Sequence, residues 1–344
     1  MASVLVTGVT GFIGKQITLD LLKAGHSVRG TVRSLSKEAA LRKTLEGHGA
    51  SCQRLSLLEL DLNQADGWSD SAKGCDYVMH VASPFPLDQP KDREALVPAA
   101  KAGTLRVLDA AREADVKRVI LTSSLVAMMY RPNRPKNLTV SEGDWTDAEW
   151  SKLSAYQVSK VRAERAAWDW TYQHGWEDRL VSVNPGFVLG PALDQTIGTS
   201  LAVVKLMLEG AYPAVPPISF AVVDVRDLSR LHIAAMTSEV AGRRLIGAGD
   251  SISMQDMAKL VKKSRPDFAK KVPVRKFPAF VIRIASRFDS SLRSIITDLG
   301  VVPHVESEYV TSLTGVSFRP ASESVVDAAA SLVQYGVVTP PSGS

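Results

Sequence analysis

Tyr156 and Lys160 are the two residues whose types and spacing point most directly to chemistry. They lie in 154–173, a run without Gly or Pro that predicts one long helix. Residues four apart share a helix face, with about 5–6 Å between their Cβ atoms. A free tyrosine has a pKa of about 10, and an ammonium beside it favours the phenolate. We therefore expect Lys160 to lower the pKa of Tyr156, making Tyr156 a proton donor or acceptor.

Ser124 is the natural third member of this group. It follows a predicted strand at 116–122, and a hydroxyl there can hydrogen-bond a carbonyl oxygen and stabilise an alkoxide. No G-x-S-x-G motif surrounds Ser123 or Ser124, which argues against a serine hydrolase. The six histidines show no ligand spacing, so no metal site is predicted. The alternative for the Tyr-Lys pair alone is an aromatic and a lysine on an ordinary amphipathic helix.

A glycine triplet with G-x-x-G-x-x-G spacing lies between an N-terminal strand (3–7) and a helix (15–23). Strand, glycine turn and helix form the setting of a dinucleotide-binding loop, where the helix N-terminus favours a pyrophosphate. A glycine-rich turn without a ligand is the alternative. The predicted coenzyme contacts in this loop are Gly8, Thr10, Gly11, Phe12, Ile13 and Gly14.

The end of the second predicted strand (27–32) bears on the choice of coenzyme. NAD-binding folds usually carry Asp or Glu there to hold the ribose hydroxyls, whereas this chain has Arg33 and Ser34. A guanidinium suits a 2′-phosphate, and Lys37 or Arg42 adds a second positive charge. The pattern favours NADPH over NADH. The alternative is that Arg33 is a solvated residue after a strand.

The alternation of elements predicts the fold class. Strands are predicted over 3–7, 27–32, 54–60, 75–81, 116–122 and 179–184, and helices over 15–23, 95–113 and 154–173. This order predicts an α/β fold with a Rossmann-type doubly wound parallel sheet. Ligands bind beyond the carboxyl ends of such strands, where Gly8, Arg33, Asp61, Ser83 and Ser124 all lie. Asp61 and Leu62 can contact the adenine, or Asp61 can instead cap a helix.

After residue 185 the alternation stops. We predict a helix over 195–210, a strand over 220–227 and irregular structure from residue 240 onward. The predicted domains are an NADP-binding domain, 1–185 with the returning segment 220–247, and a smaller, mixed substrate-binding domain. That second domain comprises 186–219 and 248–344.

Composition sets the broad class. The 344 residues carry a formal charge of +5 and are 45% hydrophobic, as in ordinary globular proteins. The two cysteines, Cys52 and Cys75, suggest a reduced compartment. A strand begins at Ser3, and no apolar run reaches bilayer length. We therefore predict a cytoplasmic enzyme with no nucleic-acid or membrane partner.

Two later segments allow more than one interpretation. The basic run 262–293 is either a polyanion-binding patch or the solvated face of a small domain, and interrupting prolines favour the second. The amphipathic stretch 280–288 is short, so core packing is predicted over membrane docking.

The glycine triplet, Ser124, Tyr156 and Lys160 occur in the order found in the extended short-chain dehydrogenase/reductases. More closely, the chain resembles the subgroup of dihydroflavonol reductases, cinnamoyl-CoA reductases and microbial aldehyde or ketone reductases. The segments that carry this resemblance are V-T-G-V-T-G-F-I-G, R-G-T-V-R-S, H-V-A-S-P, L-T-S-S, Y-Q-V-S-K, N-P-G-F-V-L-G-P and V-D-V-R-D, together with 318–336.

The resemblance implies an NADPH-dependent, reversible reduction of an aldehyde or ketone to an alcohol. Hydride would come from the nicotinamide and a proton from Tyr156, with Ser124 and Lys160 as the other catalytic residues. The further coenzyme contacts it implies, beside Arg33, Ser34 and Lys37, are Asp61, Leu62, Val81, Ala82, Ser83, Thr122, Tyr156, Lys160, Pro185, Val188 and Ser200. The substrate contacts are Phe85, Ser124, Met129, Tyr156 and Gly186.

Two departures narrow the substrate. Plant dihydroflavonol reductases usually have a polar residue five positions after the serine, where this chain has Met129. A dihydroflavonol is therefore not expected, and Met129 is either a pocket residue or core filler. The cinnamoyl-CoA signature Asn-Trp-Tyr-Cys-Tyr-Gly-Lys is replaced by 154–160, which removes the reason to expect a CoA thioester.

Two rival functions remain on the same fold: an NAD-dependent nucleotide-sugar epimerase or dehydratase, and a non-catalytic NADPH-sensing regulator. Arg33 argues against the first, and the presence of both Tyr156 and Lys160 argues against the second. The resemblance implies that helices 95–113 and 154–173 could pair in a dimer, as is common in this superfamily, although the subgroup is often monomeric. We expect a monomer or a homodimer that acts on a small carbonyl compound.

Overall fold

The computed structural model describes residues 1–83, 90, 92–287, 292 and 295–340. Its strands are β1 (Ser3–Val6), β2 (Ser27–Val32), β3 (Leu55–Glu59), β4 (Tyr77–His80), β5 (Arg118–Thr122), β6 (Asn137–Val140), β7 (Leu180–Pro185), β8 (Phe187–Leu189), β9 (Ser219–Asp224), β10 (Arg243–Gly247), β11 (Ser251–Ser253) and β12 (Val302–Val305). Its helices are α1 (Phe12–Lys23), α2 (Glu38–Gly47), α3 (Val97–Glu113), α4 (Val126–Met129), α5 (Ala155–His174), α6 (Thr199–Glu209), α7 (Val225–Thr237), α8 (Met254–Ser264), α9 (Ala279–Ala285), α10 (Glu308–Thr314) and α11 (Ala321–Gln334).

Seven strands form one parallel sheet in the order β10-β7-β5-β4-β1-β2-β3. The chain winds outward from β1 to β3 and then returns to β4 on the other side of β1, so the order reverses between β1 and β4. In open sheets of this kind the crevice at such a reversal is where ligands bind. The predicted doubly wound α/β fold is confirmed.

Helices cover both faces of this sheet. Val4 and Val6 of β1 pack into a core with α1 and α7, whereas Leu5 packs into a core with α3 and α5. Successive side chains of a strand point to opposite faces, which explains this division. All three residues are fully buried, so β1 is the centre of a three-layer structure.

Smaller sheets make up the rest of the described fold. Strands β11, β9 and β8 form one, and β12 pairs with β6 in another. A separate core of α6, α8 and α11 packs beside them. The prediction of a smaller region of mixed helices and strands is confirmed. Along the described chain, no helix combines the length and apolar character needed to cross a membrane.

The largest differences from the predicted elements lie after residue 219. The strand predicted over 220–227 ends at Asp224, because the Asp224 side chain accepts a hydrogen bond from the Arg226 N–H (2.9 Å) and caps α7. That strand, β9, lies in a small sheet. Within the segment 220–247, β10 is the strand that joins the seven-stranded sheet. The region after residue 240, predicted to be irregular, contains β10, β11 and α8.

Candidate active site

Helix α5 holds the Tyr-Lys pair, and its start is fixed by a capping box. The Ser154 hydroxyl accepts from the Gln157 N–H (3.3 Å), and the Gln157 side chain accepts from the Ser154 N–H (2.8 Å). These bonds satisfy donors that a helix start leaves open. The helix ends before Gly175, whose φ of 62° suits a glycine. Tyr156 and Lys160 therefore lie in its well-anchored first two turns.

The three predicted catalytic side chains lie together in the structure. Tyr156 is hydrogen-bonded to the Ser124 side chain, which follows β5. The Lys160 ammonium lies 5.9 Å from the centre of the Tyr156 ring and donates to the Ser83 hydroxyl at 3.2 Å. Ser83 follows β4, so the carboxyl ends of two central strands meet the catalytic helix here.

Burial dominates the electrostatics of this group. It raises the pKa of Tyr156, and the hydrogen bond with Ser124 opposes that shift. Burial also lowers the pKa of Lys160 to about 8, against the charge of Glu164, which raises it. The expected lowering of the Tyr156 pKa is therefore not found. The physical reason is that Lys160 directs its hydrogen bond to Ser83, while burial penalises the charged phenolate.

The glycine loop matches the shape that a dinucleotide requires. Gly8 has φ of 72°, and a Cβ on Gly14 would lie 2.4 Å from the Gly8 carbonyl oxygen. Gly11 precedes α1 without any side chain that caps the helix. The N–H groups of the first turn are thus left for an anion, which the helix dipole favours. The site fits a pyrophosphate, and the predicted residues Thr10, Phe12 and Ile13 lie in the same turn.

The predicted 2′-phosphate residues lie at the exposed end of β2. Within the described part of the chain, the side chains of Arg33 and Lys37 form no hydrogen bond or salt bridge, and both residues are exposed. The Ser34 hydroxyl accepts from the Ser36 N–H (3.3 Å) and shares a hydrogen bond with the Ser36 hydroxyl (2.9 Å). Two free cations beside a hydroxyl pair suit a phosphate. Arg42, in contrast, bonds Glu38 and two backbone carbonyls.

The other predicted coenzyme residues fall into two groups. Val81, Ala82 and Ser83 line the loop after β4, where a Cβ on Gly8 would lie 3.0 Å from the Ala82 Cβ. The remaining side chains are engaged within the protein. Asp61 accepts from the Asn63 N–H, and Leu62 is buried against α3. The Thr122 hydroxyl shares a hydrogen bond with His232. Pro185 and Val188 are buried, and the Ser200 hydroxyl donates to the Val188 carbonyl.

The predicted substrate residues are less well grouped. Met129 is 8% exposed and packs with Leu125, Leu138 and Val158, which favours the core interpretation left open by the sequence. The Gly186 N–H donates to the Gly247 carbonyl (3.0 Å), between the main sheet and a small one. Phe85 lies outside the described residues.

Glu164 and Arg244 are buried charged residues that the sequence interpretation missed. Arg244 donates to the Glu164 carboxylate at 2.8 Å, and the Glu164 side chain has no exposed surface. The available signal was the position of Glu164, four residues after Lys160, which puts a carboxylate on the face of α5 that carries the catalytic pair.

Comparisons with known proteins agree with this geometry. The family model described as NAD dependent epimerase/dehydratase matches residues 4–246. The chain belongs to this family. Within it, the chain is 32% identical over 337 residues to cinnamoyl-CoA reductase 1 of Petunia hybrida, covering 97% of this chain and 92% of the relative. It is 32% identical over 273 residues to tetraketide alpha-pyrone reductase 2 of Arabidopsis thaliana, covering 78% and 84%.

This chain is also similar to a solved reductase structure. It is the yeast methylglyoxal/isovaleraldehyde reductase Gre2 complexed with NADPH, with a TM-score of 0.78 and 26% identity. The match covers 97% of this chain and 98% of that chain. The predicted resemblance to this group of reductases is confirmed. The family match includes Ser124, Tyr156 and Lys160, and ends within β10.

Proposed function

We propose that this protein is an NADPH-dependent carbonyl reductase that converts an aldehyde or ketone to an alcohol. The observation that carries the proposal is the contact of Tyr156 with Ser124, beside Lys160, at the strand ends that adjoin the glycine loop. Family membership and an NADPH-bound neighbour of 26% identity support it.

Each side chain has one task in the proposed reaction. When bound, NADPH would supply a hydride to the carbonyl carbon. The Ser124 hydroxyl donates a hydrogen bond to the carbonyl oxygen and orients it. The Tyr156 phenol gives that oxygen its proton, and the positive charge of Lys160 stabilises the phenolate that remains.

The coenzyme-binding residues follow from charge and shape. The N–H groups at the start of α1 would hold the pyrophosphate. Arg33, Ser34 and Lys37 would hold the 2′-phosphate, since the two cations are exposed and lack a protein partner among the described residues. An acid at the end of β2, which an NAD enzyme would use for the ribose, is absent.

The substrate in this proposal is a small aldehyde or ketone rather than a CoA thioester. The relative from Petunia hybrida is named as a cinnamoyl-CoA reductase, but the signature on its subgroup's catalytic helix is replaced here by 154–160. The smaller C-terminal region would form the far wall of the pocket. A cinnamoyl-CoA thioester belongs in the assay panel as the alternative.

The test is Tyr156→Phe, which keeps the ring and removes the proton. We expect NADPH oxidation with a panel of aldehydes and ketones to fall by about a hundred- to ten-thousandfold in kcat. Tyr172→Phe is the matched control, because Tyr172 lies on the same helix and is 67% exposed. The control should match the wild type.

Two results would contradict the proposal. Turnover by Tyr156→Phe at the wild-type rate would remove the assigned proton donor. A nucleotide released only on denaturation, together with conversion of a nucleotide sugar without added NADPH, would instead indicate the epimerase or dehydratase chemistry.

A further inference from the structure

Glu164 is a buried carboxylate that the proposed reaction does not use. It lies on α5 one turn after Lys160, and its side chain is completely enclosed. Burying a charge is costly unless it is paired and hydrogen-bonded. The partners of Glu164 therefore show what its burial achieves.

Four side chains from three strand regions converge on this carboxylate. The donors are Ser123 Oγ at 2.6 Å, Asn184 Nδ2 at 2.7 Å, Arg244 Nε at 2.8 Å and Ser182 Oγ at 2.9 Å. They come from the end of β5, from β7 and from β10. Glu164 thus ties the catalytic helix to three neighbouring strands of the main sheet.

This network reaches the catalytic serine through its backbone. Ser123, which donates to Glu164, directly precedes Ser124. Asn184 donates a second hydrogen bond to the Ser124 carbonyl oxygen at 3.1 Å. The Leu125 N–H donates to the Pro185 carbonyl at 2.8 Å, so the turn is held on both sides of Ser124. A shift of the Glu164 carboxylate would move this turn.

The same carboxylate acts on Lys160 through its charge. Both residues line a cavity of about 20 Å³ beneath the catalytic helix, together with His80. His80 is neutral near pH 7, because burial lowers its pKa to about 3. Among the described residues, Tyr156 and Glu164 are the other titratable groups near Lys160, and the charge of Glu164 opposes the loss of the Lys160 proton.

Arg244 holds the Glu164 carboxylate through its salt bridge. It also donates to the backbone carbonyls of Glu142 (2.9 Å) and Asp144 (2.5 Å), and its guanidinium lies 3.8 Å from the centre of the Trp145 ring. The cation is therefore fixed by these hydrogen bonds and by stacking.

We propose that Glu164 is a positioning residue for the reaction: its carboxylate fixes the Ser124 turn against α5 and keeps Lys160 charged. This inference rests on the proposed carbonyl reductase function. Glu164 contacts neither the reacting carbonyl nor the proton donor, so it acts through Ser124 and Lys160.

The direct test is the titration of Lys160 followed by NMR of 13Cε-labelled lysine, with Lys160→Met to assign the signal. In Glu164→Gln the Lys160 midpoint should shift to lower pH, because the opposing charge is gone. The alkaline fall in kcat/KM for reduction should shift in the same direction, and kcat at pH 7 should drop by about tenfold.

Two further variants separate position from charge. Glu164→Asp keeps the charge but shortens the side chain, so it should retain the wild-type Lys160 midpoint while kcat falls. Glu149→Gln is the control. Glu149 is exposed and pairs with Arg162 of α5 (2.6 Å), so its loss should change neither the Lys160 midpoint nor kcat.

A wild-type Lys160 midpoint in Glu164→Gln, with kcat within about twofold of wild type, would overturn the proposal. If Glu164→Gln does not fold, Glu164→Asp decides: wild-type kcat would count against a positioning role. The NMR titration needs no substrate. It can therefore succeed or fail separately from the carbonyl reductase assignment, which is lost if the wild type reduces no carbonyl compound.

Discussion

Two groups of charged residues in this protein differ in how they are satisfied. Glu164 and Arg244 are buried beneath the catalytic helix and bond to each other and to several neighbours. Arg33 and Lys37 are exposed at the end of β2 and have no partner among the described residues. Burial without pairing is costly, so interior charges must be matched within the chain, whereas surface cations remain free for a ligand. The first group serves the architecture and the second is available for binding.

The largest expected effect comes from breaking the buried pair. Arg244→Met would leave the Glu164 carboxylate enclosed without its cation, and we expect a loss of about 3–5 kcal/mol in the free energy of unfolding. Denaturant unfolding measures this change. Arg162→Met is the matched control, because Arg162 pairs with Glu149, which is 77% exposed. Its cost should be about 0–1 kcal/mol. Equal losses in the two variants would contradict the comparison.

The second effect is a loss of stability at low pH, caused by two buried histidines, His80 and His232. Burial lowers the pKa of His80 to about 3 and that of His232 to about 4, against about 6.5 in an unfolded chain. Because the unfolded chain binds the extra protons, stability is complete above about pH 6.5 and falls as pH drops toward these values. Between pH 7 and pH 5 each histidine should remove about 2 kcal/mol of unfolding free energy.

Replacing one histidine tests this dependence. His232→Gln should reduce the loss between pH 7 and pH 5 by about 2 kcal/mol, whatever its cost at pH 7. His304→Gln, at an exposed position, is the control and should keep the wild-type dependence. An unchanged pH dependence in His232→Gln would show that His232 binds its proton equally well in the folded and unfolded chains.

The sequence predicted the parts of the site that are encoded locally. The glycine loop and the Tyr-Lys pair each occupy one short stretch, beside or within a segment that predicts a helix. Their places on a helix start and a helix face therefore follow from spacing alone. The direction of the Tyr156 pKa shift did not follow, because it depends on burial by residues from other segments.

The missed features depend on long-range contacts. The partners of Glu164 come from three separate strand regions, so spacing around Glu164 does not reveal them. Strand β10 begins with Arg243 and Arg244, which hid its apolar character. Pairing of β6 with β12 joins distant parts of the chain without any local motif. Met129 remained ambiguous because a methionine suits both a core and a pocket.

The smallest expected effect tests the exposed cations. Arg33→Ala should lower the ratio of kcat/KM for NADPH over NADH by about tenfold, since one charge-assisted contact to the 2′-phosphate is lost and NADH lacks that group. Steady-state rates with both coenzymes and one aldehyde measure the ratio. Lys43→Ala, an exposed cation on α2, should leave it unchanged. Stability should also stay at the wild-type value in Arg33→Ala, because the Arg33 side chain bonds to no described residue. An unchanged ratio would mean that this guanidinium is merely solvated, and the contrast between paired interior charges and free surface cations would then carry no information about the coenzyme.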